Sequence, residues 1–144
     1  MSGEYAAILK RRALNALKWA KRALDEEDYD TAAREAEYAV QLYIKSVIYR
    51  VSGEDVRSHN IRELLGVLAM SLMEEDFHEE AGILVDYSRR RRRELAELSE
   101  AHTKAAYGLA EYTKRVASLL IKIAEDTIGL LRLVEERVFE GEKA

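Results

Sequence analysis

An all-α fold, an antiparallel bundle of about five helices in one domain over residues 1–144, is predicted by three features of the sequence. Proline is absent, so nothing in the chain forbids long helices. Apolar residues recur every three or four positions over five stretches. No stretch holds the period-two alternation of a strand, and no Asn-Gly or Asp-Gly hairpin turn occurs.

The first helix is expected from about Tyr5 to about Glu27, on the stripe Leu9, Ala13, Ala16, Ala20 and Ala23. The acidic run DEEDYD ends it, and Asp30 is the expected N-cap of the second helix. That helix, TAAREAEYAVQLYIKSVIYRV, carries Ala32, Ala36, Ala39, Tyr43 and Val47 along one face, and its small residues admit a close neighbour. Gly53 suits the left-handed position that follows it. The third helix, about Ile61 to Met73, is apolar on most sides and is expected to be the most buried. The fourth is read as one long helix from Glu80 to Tyr107, ending near Gly108, with a break near Gly82 as an alternative. The fifth follows from about Tyr112 to Phe139 with Thr113 as cap. Gly66, Gly82 and Gly129 interrupt these patterns, each costing about 1 kcal/mol relative to alanine. Close helix crossings are the expected compensation. No segment repeats at a fixed period.

Composition narrows the function classes. With no cysteine, disulfides, thiolate nucleophiles and cysteine-ligated metals are excluded. No stretch reads as a signal peptide or a bilayer span, so a soluble, cytoplasmic protein is expected, without a membrane partner. Two asparagines and one glutamine beside fifty charged residues resemble heat-adapted composition. The net charge of −4 is segregated: Met1–Leu24 holds six basic residues against one acid, and Asp25–Val40 holds seven acids against Arg34. The basic face of the first helix, with Lys10, Arg11, Lys18, Lys21 and Arg22, reads first as a solvated bundle face. A nucleic-acid or membrane contact is the sharper alternative.

Two roles are open to His59 in SHNIREL. With Asn60 as N-cap, Glu63 stands where a capping box needs it, and His59 and Leu64 stand where a hydrophobic staple needs them. An imidazole near a helix N-terminus can also act as a base or contact phosphate. The structural role is the default.

The run Arg89–Arg93 poses a similar choice. Five successive residues sweep the whole circumference of a helix, so at least one must face a neighbour, a partner or an anion. Arg90–Glu94 and Arg93–Glu97 are spaced to pair; guanidinium forks also suit phosphate. Tyr38, Tyr43 and Tyr49 fall on apolar stripes as core or dimer-interface rings. A carboxylate-bridged metal site would want Glu-x-x-His on facing helices, and Glu100 with His102 has the wrong spacing, so no metal is expected. No phosphate-loop or Rossmann motif occurs, so no cofactor is assigned. The absence of a helix-turn-helix pattern or zinc finger makes DNA reading an unfavoured function.

The stretch DYDTAAREAEYAVQLYIKSVIYRVSGEDVRSHNIRELLGVL resembles the central signature of the HEPN domain family. The positions in step are Asp28-Tyr29, Ala33, Ala36, Ala39, Gln41, Lys45, Gly53, His59, Leu64 and Leu65. LSEAHTKAAYGLAEYT resembles the family's later segment, and the likeness covers about Asp28 to Thr113. It implies an up-and-down four-helix core, a homodimer, a nucleotide or RNA ligand and, often, a small nucleotidyltransferase partner as in toxin–antitoxin modules. Together with the arginine run, the resemblance leaves Lys45, Arg57, His59, Arg89, Arg90, Arg93 and His102 as the candidate nucleotide- or RNA-binding residues. Ribonuclease members carry arginine, then four to six residues, then histidine. Here Arg57 and Arg50 leave one and eight residues before His59, Arg93 leaves eight before His102, and His78 has no suitable arginine. Ala106 stands where many relatives have arginine. No catalytic residue is transferred.

Three functions follow as expectations: a HEPN-like nucleotide-, RNA- or partner-binding module; a ribonuclease of unorthodox spacing, with Arg93–His102 or Arg57–His59 as its pairs; and a helical interaction scaffold. The third rests on the likeness of DYDTAAREAEYAVQLY to one tetratricopeptide hairpin, of which a stable stack needs about three.

Overall fold

A computed structural model describes residues 2–108 and 111–140, in which six helices and no strand are formed. They are α1 (Ser2–Asp25), α2 (Tyr29–Ser52), α3 (Ile61–Glu74), α4 (His78–Arg90), α5 (Arg92–Tyr107) and α6 (Lys114–Val138). The all-α bundle expected from the sequence is what forms. Its fourth helix is divided at Arg91 rather than at Gly82.

Cross-helix contacts fix the directions. Lys10 and Lys21 of α1 pair with Glu135 and Glu125 of α6, so these two helices run antiparallel. Glu80, Tyr87 and Arg91 meet Arg137, Thr127 and Asp126, which sets α4 antiparallel to α6. Asp30 meets Tyr112 and Tyr43 meets Glu135, so α2 and α6 run parallel.

The most central helix is α2, which packs on α1, α3, α5 and α6. Thirteen of its 24 residues are buried, against seven of 14 in α3. The expectation that α3 would be the most buried is corrected: Met70 and Met73 lie on its outer side, 64% and 50% exposed. The alanines of α2 work as expected, since Ala32, Ala33, Ala36 and Ala39 are fully buried, as are Ala13 and Ala20 of α1, the helix most extensively packed on α2. Leu64, Leu65, Leu68, Leu72, Leu84, Leu95 and Leu98 fill the core, each stabilising it by roughly 2 kcal/mol.

Asn60 and Thr113 cap α3 and α6 through Glu63 N and Val116 N, and Gly53 takes φ +77° after α2. The N-cap of α2 is Asp28, not Asp30: its carboxylate takes Thr31 N, while Asp30 accepts Tyr112 N from before α6. Glu27 and Asp76 hold φ of 63° and 66° in the turns after α1 and α3. There the backbone closes as Schellman motifs, with Asp28 N to Ala23 O and Phe77 N to Leu72 O both at 2.8 Å. Gly66, Gly82 and Gly129 do not mark close crossings; a methyl group on any of them would meet open space.

A buried cluster locks three helices together. Glu135 of α6 accepts Tyr43 Oη at 2.5 Å and Lys10 Nζ at 2.6 Å, with Arg50 at 3.4 Å. Burial, and then Glu135, push the Tyr43 phenol far above its ordinary value, so it stays a donor.

Candidate functional site

The first half of α2 carries an acid on its buried side. Glu37 lies among Ala33, Ala36 and Val40 and is 1% exposed. Gln41, one turn on, donates its Nε2 to Glu37 Oε2 at 2.6 Å, and His59 Nδ1 lies 2.7 Å from Gln41 Oε1. In this orientation the amide nitrogen is spent on Glu37, so Gln41 Oε1 can only accept. His59 Nδ1 therefore carries the hydrogen, and a neutral His59 keeps its lone pair on Nε2.

The other oxygen of Glu37, Oε1, is buried without a hydrogen-bond partner. His102 Nδ1 of α5 is 3.7 Å away, in ion-pair range if protonated but too long for a hydrogen bond. The His102 ring is 54% exposed. Burial raises the Glu37 carboxyl to about 7, against the opposing pull of Gln41 and then Lys45. Lys45 is itself pushed down by burial, while Asp55 and Glu37 pull it back.

Glu37, Tyr38, Gln41, His59, Ser99, His102 and Thr103 line a cavity of about 270 Å³. A second cavity of about 460 Å³ shares Ser99 and Thr103 and continues over Asn60, Arg62, Ala96, Glu100 and Lys104. The seam between them is held where Ser99 Oγ accepts Ile61 N at 3.1 Å, tying α5 to the start of α3. Arg62 Nε is buried without a partner, and Lys104 pairs with Glu100 at 2.7 Å. The two cavities form one recess between α2, the start of α3 and α5. It offers acid–base groups on one side and cations on the other.

Of the residues singled out from the sequence, the recess gathers His59 and His102, with Lys45 close behind through its interaction with Glu37. His59 turns to Gln41 across the α2–α3 connection. The capping box is one-sided, because Asn60 N is held by Ser58 Oγ. Arg57 is exposed and lines neither cavity. Arg89, Arg90 and Arg93 are likewise exposed and away from both. Arg90 pairs backward with Asp86 at 2.9 Å, and Glu94 is taken by Arg91 at 2.8 Å rather than by Arg90. Arg91 is the inward member of the run, reaching Asp126 of α6 at 3.4 Å. Among the tyrosines, Tyr43 is core, Tyr49 stacks edge-on against Tyr5 at 4.7 Å, and Tyr38 is 42% exposed at the recess. Glu37, Arg62 and Ser99 were not anticipated. For Glu37 a signal exists: an acid amid alanines and valine, four residues before a glutamine on the same face.

The fold and the recess define an all-helical domain with a polar cleft built across three of its helices. The chain belongs to the HEPN domain family, whose model matches residues 6–135. This extends the likeness over α1 and most of α6. HEPN domains are associated with RNA binding or ribonuclease activity. Searches of curated proteins and of solved structures each found no match. Among the described residues no helix is long and apolar enough to cross a membrane.

Proposed function

We propose that this HEPN domain is a nucleotide- or RNA-binding module that takes its ligand in the recess between α2, the start of α3 and α5. The observation that carries the reading is the pair of unpartnered buried atoms, Glu37 Oε1 and Arg62 Nε, in side chains that line adjoining cavities. A buried polar atom without a partner costs about 1–3 kcal/mol. A ligand with a hydrogen-bond donor at one end and an anion at the other relieves both. The family's association with RNA supports the same ligand class. The module acts as a homodimer beside a small nucleotidyltransferase, as the resemblance implies.

The test is titration with a nucleoside monophosphate and a short single-stranded RNA at two salt concentrations. Binding that weakens with salt, and falls at least tenfold in Arg62→Ala, is expected. Absence of binding at low salt overturns the reading and leaves the interaction scaffold. Sedimentation of the purified protein, alone and with a candidate nucleotidyltransferase, tests the partners.

One observation favours a second reading, ribonuclease. His59 and His102, distant in sequence, share a cavity with a carboxyl that titrates near neutrality, and proton transfer to and from a reacting group needs such a set. RNA cleavage that His59→Ala and His102→Ala each abolish would establish it; cleavage equal in all three proteins, or none, rules it out.

A further inference from the structure

We propose that the smaller cavity reads a nucleobase and selects guanine, with Glu37 as the acceptor for its Watson–Crick edge. This rests on the nucleotide-binding reading above and gives it a specificity. The division of the recess supports it first. About 270 Å³ is below the range of about 300–1,000 Å³ that houses a drug-sized ligand. It is a space for one flat base, while the sugar and phosphate extend into the 460 Å³ neighbour beside Arg62 and Lys104.

The chemistry of the lining supports it second. The Gln41 amide is held at both ends, one N–H of Nε2 by Glu37 and Oε1 by His59. The hydroxyls of Tyr38, Ser99 and Thr103 and the second N–H of Gln41 can serve a ligand in turn, but the one buried group of this lining with no partner is an acceptor, Glu37 Oε1. Guanine presents adjacent N–H donors, N1–H and the 2-amino group, whereas adenine turns the lone pair of N1 toward the same place. The unpartnered carboxylate oxygen accepts from the first edge and repels the lone pair of the second. Tyr38, half-exposed at the rim, offers a face for stacking, the usual partner of a splayed-out base. The ligand gains Oε1 when the exposed His102 ring swings aside.

The groups facing Glu37 are Gln41 and Lys45 from α2, His59 from the connection to α3, and His102 from α5, with Asp55 acting on Lys45. Since Glu37 titrates at about 7, it is an acceptor at pH 8, and the experiment belongs there.

The experiment titrates the full chain with GMP, IMP and AMP at pH 8 and low salt, by calorimetry. GMP is expected to bind at least tenfold tighter than AMP. IMP, which keeps N1–H but lacks the 2-amino group, falls between them. Glu37→Gln should weaken GMP at least tenfold and leave AMP unchanged or tighter, its fold checked by circular dichroism. The IMP comparison needs no variant. Equal affinities for the three nucleotides overturn base selection while nucleotide binding stands. No binding by any of them overturns both.

Discussion

Glu37 Oε1 and His102 Nδ1 face each other across 3.7 Å, with neither hydrogen-bonded to the other. A buried carboxyl so placed keeps its proton well above the pH at which the unfolded chain has lost it. Between about 4.5 and about 7 the folded state binds the extra proton, so stability is full below this window and falls as pH rises through it. The rise corresponds to about 3 kcal/mol at pH 8. Glu37→Gln removes that penalty without changing the shape. The variant should melt several degrees above the wild type at pH 8, and the gap should narrow toward pH 5. Melting curves from pH 5 to 8 check it; a gap independent of pH would refute the burial of an ionisable Glu37.

Glu135 is also buried, but it has several donors around it. Glu135→Ala leaves the Tyr43 hydroxyl without its acceptor and removes the carboxylate that Lys10 pairs with and Arg50 reaches. The cations are about one-third exposed, so water offsets part of the loss, and a cost of about 2 kcal/mol is expected. Chemical denaturation measures it. A change below about 0.5 kcal/mol would mean the cluster adds nothing to the packing of α1, α2 and α6.

What the sequence disclosed, and what it hid, divides along chain distance. Asn60, Thr113 and Gly53 are legible because a cap acts on a backbone group within four residues. The helical stripes are legible because burial repeats with the helix turn. Asp30 misled because Asp28 offers the same chemistry two residues earlier, and the choice is settled by Tyr112, far along the chain. His59 stood out, but its tie to Gln41 and its nearness to His102 depend on how α2 and α5 pack. Glu37 was overlooked because a charged residue on a helix is usually solvated.

Local backbone choices leave stability unrealised at three helical glycines and one aspartate. Gly66, Gly82 and Gly129 lie inside helices with open space beside them. Alanine at each should add about 0.5–1 kcal/mol, and the triple variant should melt well above the wild type. Asp76, at φ 66°, holds a left-handed position that favours glycine, so Asp76→Gly should add about 1 kcal/mol. Thermal melts of the five variants decide the matter. Destabilisation by the alanines would show that something crosses these helices closely after all.

The five consecutive arginines separate into one structural residue and four exposed ones, and this separation bears on where phosphate is held. Arg91 occupies the turn between α4 and α5, with its guanidinium between Glu94 and Asp126 and over the Tyr87 ring. Burial works against its charge, but Glu94, Tyr87 and Asp126 together raise its already high pKa, so the charge is permanent. Arg91→Ala should cost about 1 kcal/mol and loosen the join of α4 and α5 to α6. Alanine at Arg89, Arg90, Arg92 or Arg93 should stay within about 0.5 kcal/mol, as exposed substitutions do. The same variants discriminate between sites in a nucleotide titration. If the recess binds the phosphate, Arg62→Ala weakens binding while Arg89→Ala, Arg90→Ala and Arg93→Ala leave it unchanged. If those three weaken it tenfold and Arg62→Ala does not, the phosphate sits on the arginine run. The unpartnered Arg62 Nε is then a packing feature of α3.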